Sequence, residues 1–320
     1  MKIVFIGAST FGLRCLDSCL EAADIDVVGM VTAPQTFAIS YRPTGVTNVL
    51  HADMVSAAEA RMIPFVVLQD SMNDPGLFDR VCAWKPDAFV VAGWYHMIPR
   101  RWRALAPAYG LHASLLPDYS GGAPLVWAMI NGETRTGVTL FQMNDGVDSG
   151  PIAAQAEEAI HGDDTIASLY ARIEARGVAL LRHALPAMAS GTLTLHEQDE
   201  SRRRVFPQRS PADGQIDWTQ DAASIDRFIR AQTRPYPGAF STLDSRPMTI
   251  WAARPLGHDP IAEVGCIRRS GSDQYAVACR DGAIVLQEIT WQERTYCRPE
   301  LATLLGEGGQ QLDSKRRAKP

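Results

Sequence analysis

Residues 1–200 alternate buried-type strands with helix-period segments, and several short, turn-delimited strands follow. This pattern points to an α/β protein: a doubly wound, mostly parallel sheet with a small C-terminal β-barrel domain. Length agrees, since 320 residues exceed the roughly 250 at which single cores tend to divide. So does a change of texture from about Thr192, where the alternation gives way to a charged stretch over 197–209 that includes Arg202, Arg203 and Arg204. The expected organisation is an α/β domain over 1–200, a solvated linker over 201–209, a barrel over 210–305 and a polar, disordered tail over 306–320.

Residues 2–7 are a continuous apolar run of buried-strand type, followed by a tight turn and a helical pattern to about Ala22. The turn, Gly7-Ala-Ser-Thr-Phe-Gly12, lacks the GxGxxG spacing of a dinucleotide fingerprint. Strands are expected at 26–32 and 64–68, with a loop over 32–47 and a helix over 49–61 between them. A helix at 75–84 and a strand at 87–93 continue a βαβα order, which implies parallel pairing. A fifth strand ends in His112 and a sixth covers 138–143. Segment 163–190 carries Leu169, Ile173, Val178, Leu181 and Leu185 at helical spacing and suits an amphipathic helix on the sheet. Beyond the linker, a helix at 222–232 and strands at 248–253, 262–267, 275–279 and 283–289 make up the barrel.

The formal net charge of −5 argues against a large nucleic-acid footprint. Six cysteines without a CxxC pair read as buried free thiols of a reducing, cytoplasmic compartment. The first residues are too short an apolar run for a signal peptide, and nothing approaches the ~18 apolar residues of a membrane span. His112 has no His or Cys partner at ligand spacing, so no metal is expected.

Chemistry concentrates in the segment YGLHASLLPDYSGGAPLVWAMINGETRTGVTLFQMNDGVDSGP, residues 109–151. His112 ends one expected strand and Asp148 lies just past another. In a parallel sheet, two strand ends bring distant residues to one crevice, where open α/β folds bind ligands. A carboxylate beside an imidazole favours the protonated ring, which can polarise a carbonyl or hold an oxyanion. Trp94 and Tyr95, at another strand end, are equally readable as pocket wall or core. Ser114 reads as the residue that fixes the turn after His112, and Gly121 and Gly122 permit the turn that follows.

The pattern HxSLLPxYxGxAP at 112–124, with GExxTGVTLFxM and then DxGPI, resembles the folate-dependent formyltransferases. GQIDW at 214–218, IRA at 229–231 and PGAF at 237–240 resemble the linker and C-terminal domain of the transfer-RNA and amino-sugar branches. The resemblance implies a Rossmann-like domain with an OB-like barrel, 10-formyltetrahydrofolate as donor, no metal, and an acceptor amine that attacks the formyl carbon. His112 would stabilise the oxyanion, and Asp148 would orient His112 and support proton movement. The substrate and folate cleft is expected from Gly93, Trp94, Tyr95, Met97 and Ile98, from Ser114, Leu115, Leu116, Pro117 and Gly121, and from Asn144, Asp145 and Gly146. A homodimer is compatible with this reading.

Two departures matter. The family has Asn where this chain has Gly110. Another side chain, Asn144 being nearest in sequence, or a water could substitute; the chemistry could be altered; or the chain could be an inactive relative. The transfer-RNA branch carries a basic insertion after the second strand, yet residues 33–42 hold one Arg and no Lys, and the family's loop arginine is Ser120 here. The expected acceptor is therefore a small amine, foremost a nucleotide-linked amino sugar, with Tyr41 or Trp94 available to stack on a ring. Methionyl-tRNA formylation and a non-catalytic folate- or nucleotide-binding relative are the alternatives.

Overall fold

A computed structural model of the chain describes residues 1–39, 42–257, 263–271 and 273–315. The chain divides into two compact units: residues 1–124, 135–159 and 171–206, and residues 125–134, 160–170 and 207–320. Segments 125–134 and 160–170, expected in the first domain, therefore group with the second unit. Their contacts account for this. Trp127 Nε1 donates to Pro207 O at 2.9 Å, Arg209 lies over the Trp127 ring, and Arg230 donates to Asp164 O.

In chain order the elements are β1 (Lys2–Ile6), α1 (Thr10–Glu21), β2 (Asp26–Thr32), β3 (Thr36–Ile39), β4 (Arg42–Thr47), α2 (Met54–Ala60), β5 (Phe65–Val67), α3 (Pro75–Ala83) and β6 (Ala88–Val91). There follow α4 (Arg100–Leu105), β7 (Ala108–His112), β8 (Ser120–Gly121), α5 (Pro124–Ile130), β9 (Arg135–Gln142), β10 (Ile152–Ala159), α6 (Ile166–Ser190) and β11 (Val205–Phe206). The main sheet of the first unit has the order β10-β9-β7-β6-β1-β2-β5. β5, β2, β1, β6 and β7 are parallel, whereas β9 is antiparallel to β7 and to β10.

β1 and β6 are apolar at every position but Lys2 because both sheet faces are covered there. Along β1, Ile3 and Phe5 join a core with Leu16, Met54 and Leu185 from α1, α2 and α6. Val4 and Ile6 join the opposite core with Leu77, Val81 and Trp102 from α3 and α4. Helix starts follow local chemistry: Ser9, Asp53 and Asp74 each accept a backbone N–H from the first turn of α1, α2 and α3. The loop expected over 32–47 instead contains the antiparallel β3–β4 hairpin. Its strands are short and lack the continuous apolar run that marks the central strands. Tyr41 lies outside the described residues.

The second unit packs α7 (Ala222–Arg230) on an antiparallel sheet. Its strands are β12 (Ala239–Leu243), β13 (Arg246–Leu256), β14 (Cys266–Arg269), β15 (Tyr275–Ala278), β16 (Ala283–Trp291), β17 (Arg294–Cys297) and, after α8 (Leu301–Leu305), β18 (Gly308–Gln311). The order is β12-β13-β16-β15-β14-β18, with β17 also on β16. The sheet curls until its edges meet: Asp313, just past β18, bridges to Thr242 in β12. The expected disorder of the tail is thus corrected over 306–315, where β18 supplies an edge strand and Leu312 is buried in the core. A polar strand can be ordered because backbone pairing at an exposed edge needs no apolar side chains. Residues 316–320 lie outside the described residues.

Among the described residues, no helix is long and apolar enough to cross a membrane. Cys15 and Cys19 are buried, and burial pushes the Cys19 thiol up to about 12. Cys297 is exposed, contrary to the expectation of uniformly buried thiols.

Candidate active site

Period-2 alternation along β7 puts Ala108, Gly110 and His112 on one sheet face and Tyr109 and Leu111 on the other. Ala108 belongs to the core shared with α3 and α4, and Tyr109 and Leu111 pack on the opposite core. His112 and Asp148 do come together, but not as two parallel strand ends. Because β9 runs antiparallel, His112 lies opposite Thr139, and Met143 lies level with Ala108, whose carbonyl accepts its N–H at 2.7 Å. The loop over 144–150 then carries Asp148 back to His112.

His112 Nε2 is 2.8 Å from Tyr119 O. A carbonyl only accepts, so this contact assigns the proton to Nε2 and fixes the ring's orientation. Nδ1 faces Asp148 Oδ2 at 3.5 Å. That separation is long for a direct hydrogen bond, so Nδ1 is the ring nitrogen without a close backbone partner. The same Asp148 oxygen accepts the Gly121 N–H at 2.8 Å. Positive φ at Tyr119 (54°), Gly121 (93°) and Ala123 (47°) shapes the loop that presents this N–H. A Cβ at Gly121 would lie 2.4 Å from Phe206 O, so that close approach requires glycine.

The position of the family asparagine is filled from elsewhere. A Cβ on Gly110 would sit 2.4 Å from Met143 Cε. Met143 thus occupies the space into which an Asn side chain at 110 would extend. Asn144 is engaged within its own loop: its Oδ1 accepts from Gly146 N at 3.0 Å and from Ser149 Oγ at 2.8 Å. Asp145 pairs with Arg103, whose hydrogen bond holds the carboxyl below its ordinary range.

The segment after β6 is partly exposed and partly core. Gly93 has φ +61° and supplies the carbonyl that accepts Ala8 N. The Trp94 and His96 rings lie 5.3 Å apart, and Tyr95 and His96 both contact Phe37. Tyr95 OH donates to Asn48 Oδ1 at 3.0 Å. Trp94 Nε1 and His96 Nε2 are buried without a hydrogen-bond partner, and burial pushes the His96 pKa down. Met97 is exposed, and Ile98 is buried in the core that also holds Trp102.

The turn after His112 is held internally. Ser114 Oγ donates to Asp118 O at 2.7 Å. Leu116 N donates to Thr139 Oγ1, and Leu116 O accepts Gln155 Nε2. Leu115 lies against Gly137 of β9. Pro117 O accepts Ser120 Oγ.

Sequence reasoning missed Gln198 and Arg203. Both lie on the charged stretch over 197–209, yet Gln198 is buried and the Arg203 side chain is only 13% exposed. Gln198 Nε2 donates to the carbonyls of Asp148 and Gly150, and Arg203 Nη1 to Ser120 Oγ at 2.8 Å. β11 pairs with β8, Phe206 stacks on Tyr119 at 4.5 Å, and Arg204 binds Asp118 through both oxygens. The expectation of a solvated linker is corrected here: the basic run folds back onto the loop around His112. Its only sequence signal was the triple arginine, which a solvated segment would share.

Residues 1–185 match the family described as formyl transferase, and residues 209–301 match the formyl transferase C-terminal domain. Among solved structures, the chain resembles the N-formyltransferase from Helicobacter canadensis in complex with folinic acid and dTDP-3-aminofucose. The two share 16% identity over 90% of this chain and 99% of that one, with a TM-score of 0.63. It also resembles HypX from Aquifex aeolicus in complex with tetrahydrofolic acid, at 19% identity and a TM-score of 0.63 over 96% of this chain. This chain covers 47% of that HypX chain, about half its length. Methionyl-tRNA formyltransferase from Clostridium thermocellum matches at 16% identity over 79% of this chain and 92% of its own, with a TM-score of 0.53. Identities this low establish a shared fold. The family match over 1–185 spans more than half of the 320 residues, and on that ground the chain belongs to the formyl transferase family.

Proposed function

We propose that this protein transfers a formyl group from 10-formyltetrahydrofolate to a small acceptor amine, foremost a nucleotide-linked amino sugar. The observation that carries the reading is the pairing of His112 Nδ1 with Asp148 Oδ2 at 3.5 Å on an otherwise apolar sheet face. The folate complexes of the similar Helicobacter and Aquifex proteins support the donor, and the dTDP-amino-sugar complex of the former supports the acceptor class.

The cleft residues suit a flat heteroaromatic donor. Trp94, Tyr95 and His96 form an aromatic wall, and two buried ring nitrogens there, Trp94 Nε1 and His96 Nε2, lack partners. When bound, 10-formyltetrahydrofolate supplies an activated formyl carbon. The Tyr119 carbonyl holds the imidazole so that Nδ1 points at the reacting group. A proton on Nδ1 meets negative charge developing on the formyl oxygen, a contribution of roughly 3–4 kcal/mol for one well-placed donor. Asp148 stabilises that protonated ring and accepts a proton leaving the attacking amine. With Met143 filling the space beside Gly110, His112 carries the donor role without a neighbouring amide.

Tetrahydrofolate release from 10-formyltetrahydrofolate tests the reading, measured across nucleotide-linked amino sugars, small amines and charged initiator transfer RNA. Release that depends on one small amine is the expected result. Release only with transfer RNA transfers the assignment to the methionyl branch. Folate binding with no acceptor-dependent release would overturn the catalytic reading.

A further inference from the structure

We infer that Gln198 and Arg203 are positioning residues for formyl transfer, acting through the backbone on either side of Asp148. Asp148 has φ +51°, a conformation that non-glycine residues seldom adopt without outside support. That support comes from 50 or more residues downstream. Gln198 Nε2 donates to Asp148 O at 2.9 Å and to Gly150 O at 2.6 Å. Arg203 Nη1 lies 3.3 Å from Val147 O and 3.5 Å from Asp148 O, and donates to Ser120 Oγ at 2.8 Å. Arg203 Nη2 donates to Gln198 Oε1 at 3.1 Å, so the two side chains form one unit.

One guanidinium thus spans both loops that place the Asp148 carboxylate. On one side it braces the carbonyls of 147 and 148. On the other it holds Ser120, whose neighbour Gly121 donates its N–H to Asp148 Oδ2. Glu200 fixes the guanidinium through Nε at 2.6 Å and Nη2 at 2.7 Å. Neither Gln198 nor Arg203 touches His112 in these contacts; each acts by holding Asp148 against it. A lysine in place of Arg203 has one donor centre and cannot brace both loops.

The assignment rests on the formyl-transfer reading. Arg203→Ala should lower kcat about 100-fold, the loss expected when a reacting group shifts by about an ångström. KM for the folate donor should change little, since no binding contact is removed. Arg203→Lys should recover only part of the rate. Gln198→Glu keeps the size of the side chain but sets a carboxylate against two carbonyl oxygens, so it should also lower kcat; it serves where Arg203→Ala fails to fold. Independently of turnover, nitrogen NMR of the His112 ring should shift in Arg203→Lys or Gln198→Glu. Unchanged kcat in folded variants, a rise in KM alone, or unmoved His112 signals would each overturn the assignment. Should the wild type itself show no transfer, the formyl-transfer reading fails, and the His112 signals still decide whether the pair positions Asp148.

Discussion

The same backbone conformation serves different ends in the two units. In the C-terminal unit, the described non-glycine residues with positive φ are Asp244 and Ser245, between β12 and β13, and Gln292 and Glu293, between β16 and β17. Each pair is a two-residue hairpin turn, where left-handed φ at both positions matches the strand twist. In the first unit, Met62 and Lys85 follow the C-caps of α2 and α3, an equally local use. Tyr119, Ala123 and Asp148 obey no such rule. They lie in the loops around His112, where Phe206, Arg203 and Gln198 contact those loops from distant sequence. Where turn geometry accounts for the conformation, the chain needs only the turn. Where it does not, as at Tyr119 and Asp148, residues distant in sequence contact the same loops.

The largest expected effect breaks the site and leaves both folds alone. His112→Ala should reduce formyl transfer by about 1,000-fold, the upper range for losing one oxyanion donor, with an unchanged melting transition by circular dichroism. Retained activity would remove His112 from the chemistry.

Gly110→Asn is next. Its Cβ meets Met143 Cε at 2.4 Å, so the variant should lose about 1–3 kcal/mol in urea unfolding. Adding Met143→Ala should recover most of that loss. Equal stability of the single variant and wild type would mean that Met143 moves aside freely.

A smaller effect is expected at Asp221, which caps α7 and pairs with Arg280. Its carboxylate accepts the Ser224 N–H at 2.7 Å as the N-cap of α7, and that backbone bond, with the Ser224 side chain, holds it below the ordinary aspartate range. Asp221→Ala should cost about 1 kcal/mol. The capping contribution is fully present above the unfolded value of about 3.9 and is lost as pH falls through the lowered folded value. The deficit of the variant should therefore shrink in acid, read by unfolding at neutral and low pH, with transfer activity at neutral pH unaffected.

The smallest effect sharpens the comparison itself. Ser245→Gly relieves a left-handed residue in a hairpin and should raise stability by roughly 1 kcal/mol or less, without altering kcat. A fall in kcat would show that the hairpin turns are not independent of the site.

Strands 2–7 and 26–32 were legible because a strand covered on both faces is apolar through its middle, and the runs at 3–6 and 27–31 are visible locally. His112 and Asp148 were legible as residue types between turn-forming glycines. The β3–β4 hairpin was not, because its short strands carry no such run. The direction of β9 was not, because an antiparallel strand has the same alternation as a parallel one. Two roles for Trp94 and Tyr95 stood open in sequence; in the fold Trp94 packs against the core shared with α3 and α4, while Tyr95 is exposed and its OH donates to Asn48.

By itself the amino-acid order determined the elements whose signals are local: the apolar runs of the central strands, the helical period of the long segment ending at Ser190, and the apolar cores they imply. Only the tertiary structure decided that Met143 fills the space beside Gly110, that Tyr119 O sets the His112 ring, and that Gln198 and Arg203 brace Asp148. Those facts are distances between residues far apart in the chain. Periodicity and propensity act over a few residues and carry no information about which distant backbone a side chain will meet.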